Sequence, residues 1–412
     1  MIAIRPAAGR PGITTGTVFL ALLSSFFSAP SCFAQAGQVA ANRGKGVASS
    51  ECLQISELNR HWPPPSAQIG FFDEVNHREV AWDFSSVSFN KVTVISAVCG
   101  NLRGRGEEAY MALETDETRE AERAVLAVLN RATGALELAG PLGPADIVNG
   151  ELRLDDVNGD GHPEIVFNAP GALDIWGWQN GNWASLLHAV SNYPYELRDF
   201  QGNGERLLAV WVDPPDVPHT ENVRWPGGAF RWTGTRFVQI LVPSLYTASV
   251  ASAESRLANR TSMEFLLALG HGYQILGKGD QAHKAYTRAW DLHQKDSALP
   301  RCSAPADAVQ DYYDAIGEGD LIRAYQHLGP ERQTGFAEFA AGFAQTQSVL
   351  LSEPPEAGAE SGGVVPVAIK LHAYDVTPQG PLMQDFAGTW RVRKSDCALL
   401  GARMHKEPSN RP

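Results

Sequence analysis

The sequence predicts a multidomain chain: an all-β region of short strands, then a short α-helical hairpin, then an α+β cone. Three observations carry this. A length of 412 residues exceeds what one ordinary core serves. The apolar spacing changes from period two to period 3.6 near residue 249. Residues 303–404 place helices first and strands after, the order of an α+β fold. A hydrophobic content of 44% with 19% charged residues excludes a disordered or collagen-like chain.

The N-terminus is organised for export. Arg5 and Arg10 precede an apolar run from Val18 to Phe27, and small residues follow, ending in Ala34-Gln35-Ala36. A basic segment, an apolar core of roughly ten residues and an A-x-A site make a secretory signal over 1–36. The run falls short of the roughly 20 residues of a membrane span. Ala29-Pro30-Ser31 before Cys32 lacks the Leu and small-residue pattern of a lipid attachment site. Residues 37–60 read as a flexible leader. No later stretch predicts a membrane span, so the expected location is periplasmic or extracellular. Removing the signal leaves 32 basic against 46 acidic residues, a net charge of −14. Such a surface argues against a nucleic acid or an anionic lipid as partner, since each phosphate contact needs a Lys or Arg.

From 61 to 246 short β-branched and aromatic runs alternate with Gly, Asn, Asp and Pro: 92–95, 124–129, 151–154, 165–167 and 236–240. The segment from Leu152 to Val166 lines up with that from Leu197 to Val210, and a more decayed copy begins at Cys99. Each copy is strand, Gly/Asn-rich turn, strand. Two continue to an aromatic hairpin, Trp178 to Trp183 and Trp232 to Phe237, turning on Asn-Gly and Thr-Gly. A repeat of about 45–55 residues made of short strands predicts propeller blades or an open repeat sheet. Over roughly 100–240 the pattern resembles the FG-GAP/VCBS β-propeller repeat, whose mark is a D-x-N-x-D-G-x-x-[DE] loop between two strands.

Helical periodicity begins at about 249 and defines a connector over 247–300. Leu269, Gly270, Tyr273, Gly277, Ala282, Tyr286 and Ala289 fall on the spacing of two helices whose small residues admit aromatics from each other. The stretch 263–297 resembles a single tetratricopeptide repeat, which needs a neighbour to cover its faces. The last unit, 301–406, starts with an amphipathic helix from Pro305 to Ile316, broken by Gly317 to Asp320, then LIRAYQHL, a Phe-rich segment 336–343, and strand runs 364–374, 386–393 and 398–404. This order, with F-x-G-T-W-x-V at 386–392, resembles the NTF2-like superfamily and implies a cone with a pocket. Residues 407–412 form a tail.

The strongest single motif runs from Asp156 to Glu164. Oxygen-bearing side chains at alternate positions, with Gly161 permitting a tight bend, suit calcium, which takes six to eight oxygens at roughly 2.3–2.6 Å. The expected donors are Asp156, Asn158, Asp160, the His162 carbonyl and Glu164. It is not an EF-hand, because Phe167 stands where that loop needs a bidentate Glu. A polar Asx-rich turn without metal is the simpler alternative. The matching loops are poorer: Asp199, Gln201 and Asn203 keep one carboxylate, and Asn101, Arg103 and Arg105 keep none. Four cysteines, Cys52, Cys99, Cys302 and Cys397, predict two disulfides in an oxidising compartment. Three pairings are open; Cys52–Cys99 and Cys302–Cys397 are the preferred ones, each joining cysteines on the same side of the helical connector.

Trp176, Trp178, Trp183, Trp211, Trp225 and Trp232 crowd 176–232, either as packing between blades or as an exposed platform for sugars. The resemblance to the NTF2-like cone makes Tyr313, Asp314, Tyr325, His327 and His372 pocket candidates for isomerase or cyclase chemistry. No G-x-S-x-G, H-E-x-x-H, phosphate-binding loop or C-x-x-C occurs. The sequence therefore leads to an exported, non-enzymatic binding or scaffold protein with a calcium-braced β-domain and a protein partner. The alternatives are a small-molecule binder or enzyme using the cone, and glycan binding by the Trp-rich β-region.

Overall fold

The computed structural model describes residues 68–73, 78–83, 92–115, 124–143, 150–215, 217, 223–256, 262–293, 304–333 and 335–408. The expected signal, the leader, Cys52, Cys302 and the last residues of the tail lie outside them. The described chain is mostly antiparallel sheet with a smaller helical part.

A short hairpin, β1 (Gln68–Asp73) with β2 (Arg78–Asp83), comes first. Three four-stranded sheets follow, each built from strands consecutive in the chain. The first holds β3 (Val92–Gly100), β4 (Glu108–Thr115), β5 (Ala124–Asn130) and β6 (Leu136–Leu142). The second holds β7 (Glu151–Asp155), β8 (Glu164–Ala169), β9 (Ala172–Gln179) and β10 (Asn182–Ala189). The third holds β11 (Glu196–Arg198), β12 (Leu207–Val212), β13 (Trp225–Trp232) and β14 (Phe237–Ile240). All seven residues of β5 are buried, so it is covered on both faces and reads as a continuous apolar run rather than an alternating one.

Each sheet rests on the next. Val98, Tyr110, Leu126 and Leu142 of the first sheet share a core with Ile165, Phe167 and Trp176 of the second. Val166, Ile175 and Leu187 of the second share another with Leu208, Val210 and Phe230 of the third. The approach is close: a Cβ placed on Gly140 would lie 2.1 Å from the Trp176 ring. The β9–β10 turn is Asn180-Gly181, with φ of 50° and 84°, the left-handed pair that a two-residue hairpin needs.

The helices are α1 (Pro243–Arg256), α2 (Met263–Ile275), α3 (Gly279–His293), α4 (Pro305–Gly317), α5 (Leu321–Gln326) and α6 (Phe336–Ala341). Helix α1 starts before the point where the period changes, at the proline that suits a first turn. Gly277, at φ 70°, ends α2, and Lys278 N–H returns to the Tyr273 carbonyl at 2.9 Å. Helices α2 and α3 pack along each other, with Gly270 of α2 against the Tyr286 ring of α3.

The last sheet has the order β15 (Thr346–Leu351), β17 (Val364–Thr377), β18 (Gly380–Arg393), β19 (Leu399–Lys406), with β16 (Glu356–Ala357) also on β17. Strands β15 and β16 were not legible as separate runs. Val365, Val367, Ile369 and Leu371 alternate inward from β17, beneath α4. One contiguous core runs from Trp225 of the third sheet through Phe265, Tyr286 and Val309 to Trp390 and Leu399. Leu241 N–H also donates to the Thr377 carbonyl at 3.0 Å, joining the end of β14 to the tip of the β17–β18 hairpin. Among the described residues no helix is long and apolar enough to cross a membrane. Neither Cys99 nor Cys397 is a free thiol.

Candidate metal loop and neighbouring clusters

The loop between β7 and β8 is organised by its own carboxylates. Asp156 accepts from the backbone N–H of Gly159 (2.8 Å), Asp160 (3.1 Å) and Gly161 (3.1 Å). Asn158 Oδ1 accepts from Asp160 N–H, and Asp160 Oδ1 from His162 N–H, both at 2.8 Å. Gly159 and Gly161, at φ 78° and 87°, supply the left-handed bends. The β11–β12 loop repeats this frame: Asp199 accepts from Gln201, Gly202 and Gly204, with Gly202 and Gly204 at φ 71° and 86°. Those three amide bonds hold the exposed Asp199 carboxylate below its ordinary pKa.

What distinguishes the β7–β8 loop is Glu164 at the start of β8. It is 4% exposed. Its donors are neutral: Val157 N–H at 3.1 Å and Asn158 Nδ2 at 2.7 Å. Burial is the main cause of a pKa pushed up to about 7, with Asp160 and Asp156 adding repulsion. The first sheet solves the same problem with a built-in cation. Glu108, which opens β4 and is wholly buried, receives Arg103 Nε at 2.7 Å from the preceding loop. Arg103 also pairs with Glu137 of β6 and lies over the Trp178 and Trp183 rings at 5.0 and 5.4 Å.

In the β7–β8 loop, Asp156, Asn158, Asp160 and Glu164 bring side-chain oxygens to one short turn, and among the described residues no cation faces Glu164. This donor set fits a hard divalent ion. Among the described residues no preformed cluster of three or more His, Cys, Asp or Glu side chains stands at metal-binding spacing.

The tryptophans are engaged in packing. Trp183 Nε1 donates to Glu137 at 2.7 Å, Trp178 meets Trp183 edge-on at 5.0 Å, and Arg105 lies 5.4 Å over Trp178. Trp176, Trp211 and Trp225 are buried, and Trp232 stacks at a tilt on Phe237.

The pocket candidates of the C-terminal unit do not converge. Tyr313 is buried and accepts from Trp390 Nε1 at 3.0 Å. Asp314 is exposed, and its neighbour on the helix, Gln310, donates to it at 2.8 Å. Tyr325 is buried among Trp290, Phe336 and Phe339. His327 Nε2 lies 2.6 Å from Asp311, whereas His372 Nδ1 lies 2.6 Å from Asp385 across the β17–β18 ladder. Tyr312, Tyr313 and Trp390 fill the space between α4 and the sheet.

The structure adds a feature with no sequence signal: a cleft of about 580 Å³ where the third sheet, α2 and the α4–α5 turn meet. Its lining comes from residues as far apart as Asp213 and Gln347, so only the assembled fold creates it.

No family model matches the chain, and no curated protein or solved structure is significantly similar to it.

Proposed function

We propose that the chain is an exported, non-catalytic scaffold that binds a protein partner, with FG-GAP/VCBS-like blades braced by calcium, a tetratricopeptide-like connector and an NTF2-like C-terminal unit. The calcium ligands are Asp156, Asn158, Asp160, the His162 carbonyl and Glu164. The observation that carries the brace is the contrast between Glu108, neutralised by Arg103, and Glu164, which is buried beside two further carboxylates with no cation among the described residues. A divalent ion supplies at the second loop what the guanidinium supplies at the first: charge compensation that fixes the turn between two strands. The pairings Cys52–Cys99 and Cys302–Cys397 tie the chain on either side of the helical connector.

The scaffold reading draws support from the successive four-stranded sheets and from the aromatic filling of the C-terminal unit. Crosslinking of the tagged protein in its native envelope, with calcium and with chelator, tests it. A reproducible partner crosslinked to 61–300 in calcium supports the reading. Absence of any partner in calcium-replete conditions overturns it.

A further inference from the structure

The cleft between the third sheet, α2 and the α4–α5 turn combines two properties. Its walls are apolar and aromatic: Trp225, Leu267, Tyr286, Leu321 and Phe343 line it. Its polar groups carry one sign. Asp213, Glu264, Glu318 and Asp320 line it, and among the described residues no Lys or Arg does. A volume of about 580 Å³ lies within the range of small-ligand sites, roughly 300–1,000 Å³.

The acids are held in place by different means. Asp213 accepts from Tyr193 Oη at 2.5 Å and Asn192 Nδ2 at 2.7 Å. Asp320 caps α5 through Arg323 N–H at 3.0 Å. Glu318 meets the Arg323 guanidinium at 2.9 Å, and Arg224 lies 5.0 Å over the ring of Tyr193, so among the described residues these two cations offset part of the field. Glu264 sits exposed in the first turn of α2. The histidine in the lining, His271, is half-buried, with Nε2 2.9 Å from the Ala344 carbonyl. Desolvation holds its pKa below the ordinary histidine value, so it adds no positive charge at neutral pH. An apolar chamber with a negative mouth attracts a cation carried on an apolar body, through Coulomb attraction at the rim and burial of the apolar body within.

We propose that this cleft binds a small organic cation, an amine or guanidine attached to an apolar or aromatic group. The site stands on the cleft alone and is independent of the calcium loop and of a protein partner, so its failure leaves those readings untouched.

Calorimetric titration of the full chain with phenethylamine, phenethyl alcohol and hydrocinnamate at neutral pH tests the proposal. The amine is expected to bind tightest, the alcohol several-fold more weakly, and the carboxylate not at all. Glu264→Gln with Glu318→Gln is expected to weaken the amine by about fivefold and leave the alcohol unchanged, the scale of exposed charge pairs. Leu267→Trp, which fills the chamber, is expected to abolish both. Should that variant not fold, Gln347→Arg puts a positive charge at the mouth from an exposed position on β15. It is expected to weaken the amine selectively. No binding by the amine, equal binding of all three probes, or amine binding unaffected by Gln347→Arg overturns the assignment.

Discussion

Arg103 and Glu108 form a buried ion pair, Nε to carboxylate at 2.7 Å, beside the β3–β4 loop, whose Gly104 and Gly106 are left-handed like the glycine pairs of the two later loops. The β7–β8 loop has Glu164 at the start of its second strand and, among the described residues, no such cation. Charge compensation is therefore built into the first loop, whereas at Glu164 the described partners are neutral donors.

Arg103→Met leaves Glu108 buried and unpaired and is expected to cost about 3–5 kcal/mol, read by urea denaturation. Adding Glu108→Leu to that variant is expected to recover much of the loss, because an apolar pair needs no desolvated charge. No recovery would place the energy in the contacts of Arg103 with Trp178 and Trp183 instead.

Glu164 makes stability depend on pH. Its folded pKa of about 7 lies above the ordinary 4.5. Between those values the folded protein keeps a proton that the unfolded chain has lost, so stability falls as pH rises through the window. Discounted for partial solvation, the loss from about pH 4.5 to pH 7 is about 1–2 kcal/mol in chelator. Glu164→Gln is expected to remove this slope, and calcium is expected to reverse it in the parent chain. Melting curves across pH, with and without calcium, read both effects.

Asp156→Ala removes the carboxylate that both binds the loop amides and faces the proposed ion. The expected result is loss of the calcium-induced rise in melting temperature, with a smaller drop in chelator. An equal calcium response in Asp156→Ala and the parent chain would move the ion elsewhere.

Gly270→Ala drives a methyl group into the Tyr286 ring, since a Cβ there would lie 2.5 Å from it. The expected destabilisation is about 1–3 kcal/mol, in spite of the better helix propensity of alanine. Gly279→Ala, where a Cβ meets nothing within 4 Å, is the control and is expected to be neutral or stabilising.

Tyr313→Phe takes the hydrogen-bond partner from the buried Trp390 Nε1 and is expected to cost about 1–3 kcal/mol. Asp314→Asn, on the exposed side of the same helix, is expected to change stability by less than about 0.5 kcal/mol. The contrast, measured by denaturation, separates a core tyrosine from its surface neighbour.

The sequence alone determined what local chemistry controls. Asn180-Gly181 and the glycine pairs 159/161 and 202/204 specify left-handed turns within a few residues, so three strand–loop–strand copies could be aligned before any sheet was known. The switch to helical spacing, the small residues at 270 and 277, and the helices-before-strands order of the last unit were visible for the same reason. Tertiary structure decided whatever depends on partners distant in the chain. Arg103 reads as a lost ligand until β4, β6 and β10 bring Glu108, Glu137 and Trp183 around it. Trp176 and Trp183 leave an exposed platform open as an alternative to packing until the first sheet covers them. Tyr313 becomes core only when Trp390 crosses above it, and the acidic cleft joins residues 213, 264 and 318 because three separate elements dock there. Backbone turns are set by short-range sterics, whereas charge pairing, burial and cavities are set by which faces meet, and period alone does not encode that.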